Sequence, residues 1–120
     1  LPRPIGKILI VELGGWSYAS LPLWLASAGY EPEVVQGQEA AFTVLRHTSP
    51  VTLIVGGNGD AEFYSALRRA SMVPILVLAP AANPEQIVAA LGAGVDDLQP
   101  DSIDAGEIVA RVNALVRRFR

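Results

Sequence analysis

At 120 residues and 12.7 kDa the chain has the size of one domain with a single core. Apolar residues at 51% against 18% charged exclude intrinsic disorder, and a net charge of -3 excludes a polyanion-binding tail. With zero cysteines and one histidine, disulfide scaffolds, thiolate zinc sites, iron–sulfur clusters and cysteine nucleophiles are excluded too.

The leading Leu1-Pro2-Arg3-Pro4 lacks the apolar stretch of a secretory signal, and no apolar run approaches the ~20 residues of a membrane span. We therefore expect a cytoplasmic domain without membrane association, and the start at Leu suggests a piece of a longer protein. Ile8-Leu9-Ile10-Val11 predicts a first strand. Its unbroken apolar character suits a strand covered by helices on both faces. Residues near 17 to 28 predict a helix with Leu21, Leu25 and Ala28 on one face, Pro22 near its first turn, and Gly29 as a left-handed stop.

Glu33-Val34-Val35-Gln36 is mixed, as an edge strand is, and Ala40, Ala41, Val44, Leu45 and Thr48 mark a second helix stopped by Pro50. Leu53-Ile54-Val55 and Ile75-Leu76-Val77-Leu78 predict two further buried strands, with a helix capped by Asp60 between them. Asn83-Pro84 starts a fourth helix. A weaker fifth strand spans Val95 to Leu98. Asp104 with Glu107 three residues on approximates a capping box for the last helix, whose predicted buried stripe is Ile108, Val112, Leu115 and Phe119. Arg111, Arg117, Arg118 and Arg120 lie toward its carbonyl end, where cations complement the helix dipole. Five strand–helix alternations predict an α/β domain with a parallel sheet.

Lys7-Ile8-Leu9-Ile10-Val11 at the start, Val73-Pro74-Ile75 at the fourth strand, and Gly94-Val95-Asp96-Asp97 before Glu107-Ile108-Val109-Ala110-Arg111-Val112 give the chain a family likeness. It resembles the bacterial response-regulator receiver domain, in particular the OmpR/PhoB type, over residues 6 to 119 of a single 1–120 domain. The resemblance implies a CheY-like (flavodoxin-like) three-layer sandwich. Its five-stranded parallel sheet would run 2-1-3-4-5 with five helices, and its site would lie at the carboxyl ends of the strands. It also implies a C-terminal DNA-binding output domain outside this chain.

Receivers of this family phosphorylate an aspartate at the end of the third strand. Mg2+ held by acidic side chains, a Thr or Ser, and a Lys neutralise the charge that develops. Carried over by position, the phosphoacceptor is Gly56, the acidic pair is Glu12 and Leu13, the hydroxyl is Ala79 and the lysine is Asp101, followed by Ser102 where the family has proline. Gly56 has no side chain with which to attack, and one carboxylate is too few for a strong Mg2+ site. Asp101 would face Glu12 and repel a phosphoryl donor. The resemblance therefore implies a pseudo-receiver that is not an enzyme, binds no metal or other cofactor, and acts in two-component signal transduction through surfaces.

Asp60 could be a displaced acceptor, but helix capping explains it without chemistry. Gly56-Gly57-Asn58-Gly59 could cradle an anion, but no Lys-Ser/Thr follows it, and a tight turn accounts for the glycines. His47 reads as a surface residue at a helix end, and Trp24 as core. Trp16, directly after Gly14-Gly15, is placed to cover the phosphorylation pocket.

In the family the fourth helix, fifth strand and fifth helix form a two-fold dimer face. Asp96, Asp97, Arg111 and Arg118 match its charged members; a merely solvated surface is the alternative. Ala89 stands at the basic position of the fourth helix, leaving Glu107 as a cap, and Leu98 replaces the aromatic switch residue. The expected partners are a second copy and an output domain or regulatory protein, with no nucleic acid bound by this domain. The alternative function is a small-ligand sensor using the space beside Gly56 and Ala79.

Overall fold

The computed structural model describes residues 3–119. Its five parallel strands are β1 (Lys7–Glu12), β2 (Glu31–Gln36), β3 (Thr52–Gly56), β4 (Ile75–Ala79) and β5 (Asp97–Pro100). They alternate with α1 (Leu21–Ser27), α2 (Gly37–Leu45), α3 (Ala61–Ala70), α4 (Pro84–Gly92) and α5 (Ala105–Arg118). The sheet order is β2-β1-β3-β4-β5, the CheY-like arrangement the sequence resemblance implies.

Because successive side chains on a strand point to opposite faces, each apolar run feeds two cores. Leu9, Val11, Leu53, Val55, Ile75 and Val77 pack toward α2, α3 and α4 with Phe63, Leu67 and Ala90. Ile8, Ile10, Ile54, Leu76 and Leu78 pack toward α1 and α5 with Leu21, Leu25, Ile108, Val112 and Leu115. Each such fully buried aliphatic side chain contributes about 1.5–3 kcal/mol relative to exposure. Gly56 shares parity with Ile54 and therefore faces the α1/α5 side, opposite Glu12 in the β1–β3 register.

Helix ends follow local chemistry. Asp60 Oδ1 accepts from the Phe63 N–H at 2.8 Å, and Asn83 and Gln86 form a reciprocal capping box. Gly29, at φ +99, lets its N–H reach the Ala26 carbonyl and ends α1. Pro22 sits in the first turn of α1, where its missing N–H breaks no helical bond.

Several boundaries differ from the sequence expectation. The α1 helix begins at Leu21, because residues 17–20 form a loop whose Tyr18 carbonyl accepts from the Leu21 N–H. The α2 helix closes at Leu45, before Thr48, whose hydroxyl turns back onto the Val44 carbonyl. The β5 strand lies two residues later than expected: Val95 is a buried anchor, and pairing runs from Leu76–Asp97 to Ala79–Pro100.

Asp104 accepts from the Gly106 N–H, but Glu107 bonds Arg111 instead of completing a capping box. Phe119 at 47% and Trp24 at 48% exposure are not core residues, since each lies on the rim of its helix face. Leu1, Pro2 and Arg120, to which the leader and last-turn readings extended, lie outside the described residues. No helix among the described residues is long and apolar enough to cross a membrane.

Candidate functional site at the carboxyl edge

The carboxyl ends of β1, β3, β4 and β5 bring Glu12, Leu13, Gly56, Ala79 and Asp101 to one edge of the sheet. Gly56 accepts from the Leu13 N–H through its carbonyl at 3.0 Å, and the Gly57 N–H donates to Leu78 O at 3.1 Å. These bonds fasten the edge backbone across β1, β3 and β4 and engage the one polar group a glycine offers toward β1.

Trp16 lies over Gly56. A Cβ added at Gly56 would sit 2.1 Å from the indole Cε3 and Cζ3, far inside van der Waals contact. The expectation of an emptied pocket beside Gly56 is thus corrected: the indole fills the volume a side chain there would need. Gly14 and Gly15, at φ +59 and +80, make the turn that delivers it, a backbone path open to glycine and resisted by other residues. The Trp16 Nε1–H then donates to Asp101 Oδ2 at 3.1 Å. Two residues on, the Tyr18 hydroxyl donates to Ile103 O at 2.8 Å, so the β1–α1 loop is tied twice to the β5–α5 loop.

Glu12 turns away from this centre and accepts from Gln36 Nε2 on β2. Asp101 and Glu12 therefore satisfy different donors, and the direct opposition expected from the sequence is relieved. Leu13 is buried at 6% exposure and Ala79 at 8%, and neither carries an oxygen on its side chain. Among the described residues no three His, Asp or Glu side chains converge as metal ligands. The donor set does not fit the Mg2+ that receivers use: Gly56 supplies no carboxylate, and Glu12 and Asp101 are both directed elsewhere.

A space of about 60 Å³ remains between Gly57, Gly59, Tyr64, Ala79 and Leu98, room for a water or two. Outside Trp16 an open depression of about 360 Å³ runs past Gly14, Asn58, Pro80 and Asp101. Asp60 is used by the α3 cap, and His47 is exposed just beyond α2. Tyr64 packs against Gly59, and burial pushes its phenol above the ordinary value despite the opposing Gly59 N–H.

The four charged residues read as a dimer face separate into two groups. Asp97 Oδ2 meets Arg111 Nη1 at 3.3 Å, and Arg111 Nη2 meets Glu107 Oε2 at 2.9 Å on the surface. Hydrogen bonding to Glu107 foremost raises the guanidinium pKa; desolvation opposes the rise and the Asp97 charge adds to it. Arg118 is exposed. Asp96 instead braces its own fold, accepting from Arg68 Nη2 at 2.6 Å and from the Ile75 N–H at 2.8 Å. Beside the surface pairs, α4 exposes Val88 at 70% and Leu91 at 46%. Sequence reading missed Arg68, Tyr18 and the Trp16–Asp101 bond. Of these only Trp16 had a local signal, the preceding glycine pair.

No protein-family model matches the chain. Among curated proteins it is 28% identical over 116 residues to the DNA-binding response regulator MtrA of Mycobacterium tuberculosis, covering 93% of this chain and 51% of that protein. It is 27% identical over 117 residues to the transcriptional regulatory protein PhoP of Escherichia coli, covering 93% and 52%. The chain spans about half the length of the curated relatives it matches. Among solved structures, a two-component response regulator from Clostridium difficile superposes with TM-score 0.87 at 19% identity, covering 95% of this chain and 98% of that one. An orphan response regulator of H. pylori, HP1043, gives TM-score 0.87 at 21% identity, with 97% and 100% covered. The fold is the CheY-like one seen in these response-regulator structures, and the curated proteins the chain is similar to include DNA-binding response regulators.

Proposed function

We propose that this receiver domain signals without phosphorylation at its carboxyl edge and controls an output domain, a DNA-binding one as the relatives' names suggest, through self-association or partner contact. The observation that carries the reading is Gly56 beneath Trp16: the position of the nucleophile has no side chain, and an indole occupies the space one would take. Ala79 and Asp101 support it, because a methyl group and a negative charge stand where a hydroxyl and a positive charge would stabilise a phosphoryl group. Among the described residues the edge holds no nucleophile–base pair, which favours a regulatory module over an enzyme.

The surface through which it would act is the side formed by α4, β5 and α5. Val88 and Leu91 supply apolar area there, and Asp97, Arg111, Glu107 and Arg118 supply charge. An interface with an apolar centre and a charged rim is the usual composition of a protein contact. Incubation with acetyl phosphate and Mg2+ followed by intact mass measurement tests the proposal. We expect no phosphoryl adduct, and stoichiometric phosphorylation would reject the reading.

A further inference from the structure

Trp16 and Tyr18 reach the same opposing loop. The Trp16 indole rests on Gly56 and donates to Asp101, while the Tyr18 hydroxyl donates to the Ile103 carbonyl. The two rings are 6.4 Å apart at 54°, a tilted contact between neighbours. Asp101 and Ile103 lie in the four-residue connection from β5 to the α5 cap, Asp104. At the other end of the seat, the turn carrying Trp16 is closed by the Trp16 N–H on Leu13 O at 3.0 Å, and a Cβ at Gly14 or Gly15 would meet nothing within 4 Å, so no side chain packs over the turn's glycines.

We infer that Trp16 and Tyr18 form a latch between the β1–α1 loop and the start of α5, and that its opening, not covalent modification of the edge, is the conformational variable of this domain. The inference rests on the proposed phosphorylation-independent reading for its regulatory meaning. In the closed state the indole supplies the apolar cover of Gly56 and holds Asp101 through one hydrogen bond, and Tyr18 holds Ile103 through another. Opening exposes Gly56 to solvent and frees the connection leading into α5. That helix carries Arg111, which pairs with Asp97 of β5, so the latch joins the carboxyl edge to the proposed contact surface through one short segment. A contact that persists only while both partners keep their geometry behaves as a two-state element, which a partner can bias by binding one state better.

Single-tryptophan fluorescence reads the latch directly. In a Trp24→Phe background, Trp16 is the sole tryptophan, excited selectively over the tyrosines at the red edge of absorption. We expect partial shielding from acrylamide, and at least a twofold rise in quenching constant with a red-shifted maximum when Gly56→Ala drives the ring off its seat. Asp101→Leu should act in the same direction, whereas Asp101→Asn, which keeps an acceptor oxygen, should stay near the parent. Circular dichroism and cooperative unfolding confirm that each variant is folded.

Hydrogen exchange supplies the second readout. Asp101→Leu combined with Tyr18→Phe should raise amide exchange tenfold or more over residues 101–108 while leaving residues 61–70 of α3 unchanged. Unaltered quenching in both Gly56→Ala and Asp101→Leu, or unaltered exchange at 101–108, would overturn the latch. A phosphoryl adduct on the unsubstituted chain would reject the proposed function separately, since neither fluorescence nor exchange depends on acetyl phosphate.

Discussion

Arg68 and Asp96 meet at 2.6 Å and join α3 to the segment before β5. The same Asp96 oxygen accepts from the Ile75 N–H at 2.8 Å, and Arg68 donates to the carbonyls of Gly94 and Val73. One guanidinium thus satisfies backbone acceptors from two turns that would otherwise lie half-buried without them. The Asp96 carboxylate, which the sequence likeness assigns to a subunit face, is occupied with closing its own fold.

Asp96→Ala should therefore lower stability by about 2 kcal/mol, since it removes two charge-assisted bonds and strands the Ile75 N–H. Urea unfolding measures this. Asp97→Ala, which loses the partly exposed pair with Arg111 and the bond from the Gln99 amide, should cost less, about 1 kcal/mol. Equal effects of the two substitutions would show that the Arg68 cluster has no special weight.

Gly56→Asp is expected to destabilise the chain by about 1–3 kcal/mol, because its Cβ has to displace the Trp16 ring from a packed position. Adding Trp16→Ala should recover part of that loss, so that the two substitutions are non-additive. A double-mutant cycle by denaturant unfolding checks the coupling. Gly56→Asp should also remain unmodified by acetyl phosphate, with Ala79 and Asp101 still in place.

Self-association through the α4–β5–α5 surface can be probed at two chemically different points. Arg111→Glu sets three acids together with Asp97 and Glu107, and Val88→Lys places a charge in the exposed apolar part. Both should shift sedimentation toward monomer at matched concentration. If neither does so while the unsubstituted chain dimerises, the contact lies on another face.

Alkaline pH should weaken the fold through Tyr64. Burial raises its pKa in the folded state, so the folded chain holds that proton more tightly than the unfolded chain does. The contribution is complete below the unfolded value of about 10 and is lost as pH rises from there toward the folded value. Tyr64→Phe should flatten the pH dependence of unfolding free energy above about pH 10. An unchanged slope would mean that another group governs alkaline loss.

Strands β1, β3 and β4 were legible because each is a short apolar run whose two side-chain faces are both buried, a property a run such as Ile75–Leu78 displays without reference to anything distant. Asp60, Asn83 and Gly29 were legible for a related reason: caps and stops act over three or four residues, so spacing alone carries them. The start of α1 and the offset of β5 were not, because Tyr18 and Val95 are held by partners far along the chain. Trp24 and Phe119 look like core residues by type, and their exposure depends on which arc of the helix meets the sheet.

Composition and periodicity by themselves determined the α/β class, the number of elements, and the absence of a carboxylate or hydroxyl at Gly56 and Ala79, since these are matters of residue identity and local backbone preference. Only the tertiary structure decided how closely Trp16, which the sequence placed near the pocket, seats on Gly56, that Asp101 receives the indole N–H, and that Asp96 belongs to Arg68. Those pairs lie 40, 85 and 28 residues apart, and chain folding brings them together through the crossover helices. Contacts across such separations are set by how packed layers meet, which no local pattern encodes.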